Sequence, residues 1–175
     1  KLYGALIELR FHLERAYRIL SIVCDFLGIY RVADYASCTF SARRHVEGEV
    51  DASSMNRLYV LEHQYTVTGG MADHRRPVKV GDLPLVTAHV AAKVGELTGD
   101  KDLVALAGTL VAASDKRIKD ILSSKWIEGV AKDLLSARGK GLVLAGPRLD
   151  AGIHALVIAM NVALGNVGDA QPVGE

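Results

Sequence analysis

The segment from Gly139 to Gly168 constrains the fold more than any other part of the chain. It contains a short apolar run, Gly141–Ala145, then Gly146-Pro147, and then a long apolar stretch interrupted by His154 and Asn161. A short apolar run that ends at a turn is typical of a strand buried on both faces. We therefore expect a strand inside a covered sheet, followed by a turn and a buried helix.

Residues at both ends of this predicted helix support the interpretation. Asp150 suits the N-cap position because its carboxylate can accept hydrogen bonds from backbone N–H groups in the first turn. Gly165 suits the left-handed turn that commonly ends a helix. The apolar window from Ala151 to Gly168 is close to the shortest that spans a bilayer, but its histidine, asparagines and glycines favour a buried helix over a membrane span.

Two other short apolar runs, Ile19–Cys24 and Arg57–Leu61, are predicted strands. Five segments have the spacing or residue content of helices, namely Ala5–Arg18, Ala33–Arg44, Leu85–Gly95 with Asp82 as its N-cap, Leu97–Ser114 with a break at Gly99, and Trp126–Arg138. Strands that alternate with helices predict a mainly parallel sheet with flanking helices. At 175 residues with half of them hydrophobic, residues 1–175 are expected to form one α/β domain or part of one. Because the sequence begins at Lys1, we interpret it as an internal segment of a longer polypeptide.

Charge and cysteine content disfavour two functional classes. The 21 basic and 20 acidic residues give a formal charge of +1, so nucleic-acid binding is not expected. The two cysteines, Cys24 and Cys38, form no CxxC motif and are predicted to be buried free thiols. They are too few to hold an iron–sulfur cluster by themselves.

The sequence contains no motif that declares an active site, since GxGxxG, GxxxxGK[ST], GxSxG and HExxH are all absent. Asp25 follows a predicted strand, where parallel sheets bind ligands, but a carboxylate there more often bonds the turn itself. We predict an ordered loop without regular secondary structure from Thr66 to Pro77. Its Asp73-His74-Arg75 run could supply a base, an acid and an anion contact. Neighbouring side chains in an extended segment point apart, so a structural role is favoured, with Asp73 and Arg75 satisfying backbone groups or each other and His74 bonded to a neighbouring segment.

Three stretches of sequence resemble a known family. They are Met55–Val60, Thr66–Arg75 and the segment from His154 to Gly168, which ends in Leu164-Gly165-Asn166-Val167-Gly168. These stretches resemble the large iron–sulfur, molybdopterin-oxidoreductase-like subunit of alternative complex III, a bacterial membrane quinol oxidoreductase. The last stretch also resembles the wider molybdopterin oxidoreductase superfamily, in which a helix ending in Thr-Gly-Asn-Ile-Gly recurs.

The resemblance implies a fragment of a molybdopterin-oxidoreductase-like domain that holds no molybdenum cofactor and has a structural or assembly role in electron transfer. Iron–sulfur clusters are then expected elsewhere in the same subunit, so no catalytic, cofactor or metal residue is assigned in this segment. The implied partners are cytochrome c and membrane subunits, and the implied location is peripheral to the membrane, at its periplasmic face.

Two alternatives remain open. In the first, the chain is a segment of a catalytic molybdopterin-dependent oxidoreductase, with Gly146, Arg148, Asp150 and the loop Thr68–Arg75 near the cofactor. In the second, it is an independent α/β binding module.

Overall fold

The centre of the fold is a four-stranded, all-parallel sheet. The structure, a computed structural model, describes residues 10–29, 33–45, 54–111, 125–168 and 172–174. The described strands are β1 (Arg10–Phe11), β2 (Arg18–Ile22), β3 (Arg57–Glu62), β4 (His74–Pro77), β5 (Gly141–Ala145) and β6 (Val173–Gly174). The described α-helices are α1 (Ala33–Ser41), α2 (Val67–Gly70), α3 (Leu83–Thr98), α4 (Lys101–Val111), α5 (Lys125–Ser136) and α6 (Ala151–Ala163). Short 3₁₀ helices occupy Leu13–Arg15 and Val80–Asp82.

The strand order of the sheet is β4-β3-β2-β5. Arg18 at the start of β2 is in register with Arg57 of β3 on one side and with Gly141 of β5 on the other. The three predicted strands are therefore parallel neighbours, as the sequence indicated. Strands β1 and β6 form a separate antiparallel pair.

Both faces of the sheet are covered. On one face, Leu20, Tyr59 and Val143 pack in a core with side chains of α3, α4, α5 and α6. On the other face, Ile19 and Leu58 pack with Phe40 of α1 and with the segment that precedes β2. The chain therefore passes from β2 to α1 on one face of the sheet and from β5 to α6 on the opposite face.

Helices α3 and α4 pack closely because of two glycines. Gly99 has a φ of 77° and ends α3 in the left-handed conformation. A Cβ on Gly95 would lie 2.8 Å from Val104 Cγ2, so a side chain there would push the two helices apart. This helix pair covers the sheet face that contains Val143.

The helix predicted for Ala5–Arg18 is wrong in its described part. Residues 10 and 11 form β1, Leu13–Arg15 is a single 3₁₀ turn, and Arg18 starts β2. Residues 5–9 lie outside the described range. The apolar spacing reflects burial of Leu13 and Ala16 on the sheet, while Phe11 pairs with Val173 of β6.

The 66–77 segment was predicted to lack regular secondary structure, which is also wrong. It contains the short helix α2 and the fourth strand of the sheet, β4. Strand β4 pairs with β3 in parallel, from Tyr59↔His74 to Glu62↔Pro77. Its polar composition concealed it because backbone pairing at an edge needs no apolar side chains.

Strand β5 is buried on both faces, but it lies at the edge of the sheet rather than inside it. The other predicted helices are confirmed with shifted ends, and Asp82 and Asp150 occupy N-cap positions without a side-chain capping bond. For Leu97–Ser114, the helix starts at Lys101, and residues 112–114 are outside the described range.

Cys24 and Cys38 are free thiols, but Cys24 is half-buried and Cys38 is exposed, so the prediction of burial is wrong. Within the described ranges, no helix has the length and apolar character needed to cross a bilayer.

Candidate functional site

The carboxyl ends of β2 and β5 form the topological switch point of the sheet. The segments that follow these neighbouring strands diverge to opposite faces, toward α1 and α6. Open α/β sheets bind ligands at such points because the divergence leaves a crevice. The carboxyl ends of these two strands are therefore the expected position of a binding or catalytic site.

In this chain, backbone contacts close the switch point. Gly146 N–H donates to Ile22 O at 2.9 Å, and a Cβ on Gly146 would lie 2.0 Å from Val23 O. Val23 has a φ of 51°, an unusual conformation for a β-branched residue. The segments after β2 and β5 thus touch where a crevice would open, and only glycine fits at position 146.

Asp25, the candidate from sequence, is buried just beyond the end of β2. Its Oδ1 accepts hydrogen bonds from Thr68 N–H at 2.9 Å and from Thr68 Oγ1 at 2.8 Å. Thr68 Oγ1 in turn accepts from Leu27 N–H at 3.0 Å. The carboxylate therefore joins the segment after β2 to helix α2, whereas the sequence favoured bonds within its own turn.

Glu62, at the end of β3, is a second buried carboxylate on the same edge, with 1% of its surface exposed. Its Oε2 accepts from Thr66 Oγ1 at 2.6 Å, and its Oε1 accepts from Arg75 Nε. A Cβ on Gly69 would lie 1.9 Å from Glu62 Oε1. The sequence prediction did not include Glu62, although a glutamate that ends an apolar strand beside the Gly69-Gly70 pair is a signal that could have found it.

Asp73, His74 and Arg75 do not converge on one point. Asp73 Oδ2 pairs with Arg44 and accepts from Leu58 N–H at 2.8 Å. Arg75 pairs with Glu62, so the Asp73–Arg75 pair that the sequence suggested does not form. The His74 ring stacks on Tyr59, with their centroids 4.8 Å apart. Each of the three side chains therefore contacts a neighbouring element and holds the 66–77 segment in place.

The contacts of the residues that the catalytic alternative requires lead mostly outside that set. Thr68 bonds Asp25, and Gly146 lies against Val23, and neither partner belongs to the set. Arg148 and Asp150 are exposed. Among the described contacts, no hydrogen bond or ion pair joins either of these two side chains to the 66–77 segment.

Two buried asparagines form a site that sequence reasoning missed. Asn161 bonds both backbone groups of Val143 in β5, and Asn166 Oδ1 accepts from Gly141 N–H at 3.1 Å. The two amides also bond each other, since Asn166 Nδ2 donates to Asn161 Oδ1 at 3.2 Å. They occupy the hydrogen-bonding positions that a further strand beside β5 would use. The signal in the sequence was the presence of two amides in an otherwise apolar segment.

A third polar cluster lies at the opposite, amino edge of the sheet, around Asp133 of α5. Arg18 Nε lies 2.9 Å from Asp133 Oδ1, and Arg57 Nη1 lies 2.9 Å from Oδ2. Tyr59 Oη donates to Oδ2 at 2.8 Å. Burial raises the pKa of Asp133, but the contacts with Arg18 and Tyr59 and the positive charges outweigh it, so the pKa lies below its ordinary value. The pKa of Tyr59 is raised, mainly by burial and also by its bond to Asp133.

An apolar groove of about 230 Å³ runs beside β5 and α6. Phe11, Val162 and Val167 line it and are exposed, and His154 contributes the one ionisable side chain among its lining residues.

Within the described ranges, no cluster of three or more His, Cys, Asp or Glu residues is arranged to hold a metal ion. The chain matches no protein-family model, and it has no significant match to a curated protein.

Proposed function

We propose that this chain is the molybdopterin-oxidoreductase-like, cofactor-free α/β part of a membrane quinol oxidoreductase of the alternative complex III type. Its role there is structural: it packs against the subunits that carry electrons. The sequence stretches at residues 55–60, 66–75 and 154–168 motivate the assignment to this class of complex. Iron–sulfur clusters then belong to other parts of the same subunit, and cytochrome c and membrane subunits are the partners at the periplasmic face.

One observation carries the cofactor-free part of the proposal. At the edge where a parallel sheet would bind a ligand, the buried carboxylates of Asp25 and Glu62 bond Thr68, Thr66 and Arg75 of this same chain. The gap at the switch point is closed by Gly146 against the Val23 carbonyl. These bonds support the cofactor-free role, because the Asp25 and Glu62 carboxylates are already bonded to protein and are not free to bind a pterin.

The catalytic alternative has one feature in its favour. Helix α6 begins beside the switch point, and its N-cap residue Asp150 makes no side-chain capping bond. Free N–H groups at a helix N-terminus attract anions such as phosphate, and the exposed Arg148 is two residues away. Under this alternative Arg148 would contact an anionic cofactor group.

Metal analysis of the purified, intact assembly separates the two functions. We expect iron without molybdenum or tungsten, measured by mass spectrometry and normalised to this chain. Molybdenum or tungsten at a stoichiometric level would overturn the proposal in favour of the catalytic alternative.

A pair of variants adds a second measurement. Arg148→Ala should leave the turnover of each assembled complex unchanged, as should the control Lys101→Ala on α4, because both side chains are exposed. A loss of turnover restricted to Arg148→Ala would contradict the cofactor-free role.

A further inference from the structure

Cationic side chains gather around Tyr17 at the amino edge of the sheet. Arg43 lies over the Tyr17 ring, with Cζ 3.8 Å from the centroid, and Lys140 Nζ lies 5.0 Å from the same centroid. The Tyr17 carbonyl accepts from Arg18 Nη1 at 2.8 Å and from Arg57 N–H at 2.9 Å. Tyr17 therefore contacts three cationic side chains, those of Arg18, Arg43 and Lys140. The Arg57 side chain joins them through Asp133, which it shares with Arg18. We call Arg18, Arg43, Arg57 and Lys140 the amino-edge basic surface.

Carboxylates compensate only part of this charge. Arg18 and Arg57 share the single carboxylate of Asp133. Within the described ranges, Arg43 donates to two backbone carbonyls, that of Glu14 at 2.5 Å and that of Ser54 at 3.2 Å. Among the described residues, no carboxylate lies within ion-pair distance of Arg43 or Lys140. Two cations within about 5 Å of one ring centre are thus held together without a counter-charge from the part of the chain that the structure describes.

The surface is also positive relative to the rest of the chain. Its four cations and Asp133 give a formal charge of +3, while the whole chain carries +1, so the remainder carries −2. An extended polyanion such as nucleic acid or an anionic membrane binds best to an extended positive surface, and the net charge of the remainder does not favour one. A compact acidic partner needs only these four cations.

We propose that the amino-edge basic surface docks an acidic segment of another protein, whose carboxylates bind between Arg43 and Lys140 over Tyr17. The inference goes beyond the assembly role proposed above, because it rests on the contacts around Tyr17 and holds for any acidic partner. Lys140 is exposed and Arg57 has 45% of its side chain exposed, so both can reach carboxylates on a partner.

A labelled hexaglutamate peptide is a suitable probe of the full protein, with binding measured by fluorescence anisotropy. We expect binding that weakens as salt rises from about 50 to about 200 mM, because screening shortens the range of the attraction. Lys140→Glu should raise the Kd about tenfold or more, and Lys140→Gln should have a smaller effect in the same direction. Lys101→Glu is the matched control: it makes the same charge change at an exposed site on α4 and should alter the Kd less than about twofold.

Circular dichroism melts of each variant will show that the fold is retained, since the Lys140 side chain is exposed. The proposal is overturned if the unaltered protein does not bind the peptide at low salt, or if Lys101→Glu weakens binding as much as Lys140→Glu does. Vesicles of phosphatidylcholine and phosphatidylglycerol in equal parts, and a short DNA duplex, are the competing probes. Tighter binding to either probe than to the peptide, lost in Lys140→Glu, would overturn the choice of an acidic protein partner.

Discussion

Asn161 of α6 bonds both backbone groups of Val143 in β5: its Oδ1 accepts from Val143 N–H at 3.0 Å, and its Nδ2 donates to Val143 O at 2.8 Å. A neighbouring strand would make the same pair of bonds. Strand β5 is the outermost described strand of the sheet, so its outward-facing backbone groups have no strand partner among the described residues. The Asn161 amide bonds those of Val143 and leaves no pairing position there for another chain.

Asn161→Leu should destabilise the fold through this edge. The leucine would fill the space but leave the N–H and C=O of Val143 without partners in a buried site, at a cost of about 1–3 kcal/mol for each group left unsatisfied. Chemical denaturation of the variant measures the loss. Gln64→Leu, which removes an exposed amide, is the control and should change stability little. Equal stabilities of the two variants would contradict the role given to Asn161.

Val143→Asp tests whether β5 is buried as described. Val143 has 1% of its surface exposed, so the variant would place an unpaired carboxyl group inside the apolar core. We expect no stable folding or assembly. Val162→Asp makes the same change on α6 at a residue that is 59% exposed, and it should fold normally. A Val143→Asp protein as stable as the original would show that β5 is not buried.

Gly69→Ala tests the close packing of α2 on Glu62. The new methyl group would lie 1.9 Å from Glu62 Oε1, so the buried carboxylate would have to leave its bonds to Thr66 and Arg75. The expected loss is about 1–3 kcal/mol, because groups in a buried network would be left unpaired. Gly129→Ala in α5 is the opposite control: nothing lies within 4 Å of its Cβ position, and alanine there should stabilise the helix by up to about 1 kcal/mol. Thermal melts of the two variants should therefore shift in opposite directions, and a Gly69→Ala melt unchanged from the original would contradict the close packing of α2 on Glu62.

The apolar pattern of the sequence was sufficient to predict three of the four strands of the parallel sheet. Runs such as 57–61 and 141–145 are too short and too apolar for amphipathic helices, and both are strands in the structure. What could not be predicted was the edge position of β5. Its edge is completed by Asn161 and Asn166, which are 18 and 25 residues away from the groups they bond, and local periodicity carries no information on such contacts.

Strand β4 and the carboxylate contacts were hidden for a related reason. The sequence His74-Arg75-Arg76-Pro77 has no apolar alternation, and it becomes a strand because β3 offers it backbone partners. Asp73 was identified as a structural residue from its sequence context, but its partner, Arg44, is 29 positions away. Residue type indicated that these groups would be bonded, and only the tertiary fold determines to which partner.

Asp133→Asn should make the free energy of unfolding less dependent on pH in the acid range. Because the pKa of Asp133 in the folded chain is below its ordinary value of 3.8, the folded state binds fewer protons than the unfolded state in this range. Its stabilising contribution is complete above that value and is lost as the pH falls through the lower, folded-state pKa. Denaturation between about pH 2 and pH 6 should therefore show a smaller acid-induced loss for Asp133→Asn than for the original chain. Asp102→Asn, which removes the same charge at an exposed site on α4, is the control.

His74→Ala separates a structural from a chemical role for the 66–77 segment. The His74 ring stacks on Tyr59 at an interplanar angle of 17°, and Tyr59 bonds Asp133 of α5. Loss of the stacked pair should cost about 0.5–1.5 kcal/mol in stability or assembly, because such aromatic pairs contribute roughly that amount beyond burial. Turnover per intact complex should stay nearly unchanged, and His74→Phe, which retains a ring that can stack, should recover much of the stability. A fall in turnover of about two orders of magnitude or more in fully assembled complex, the effect of removing a general acid or base, would instead assign His74 to the chemistry.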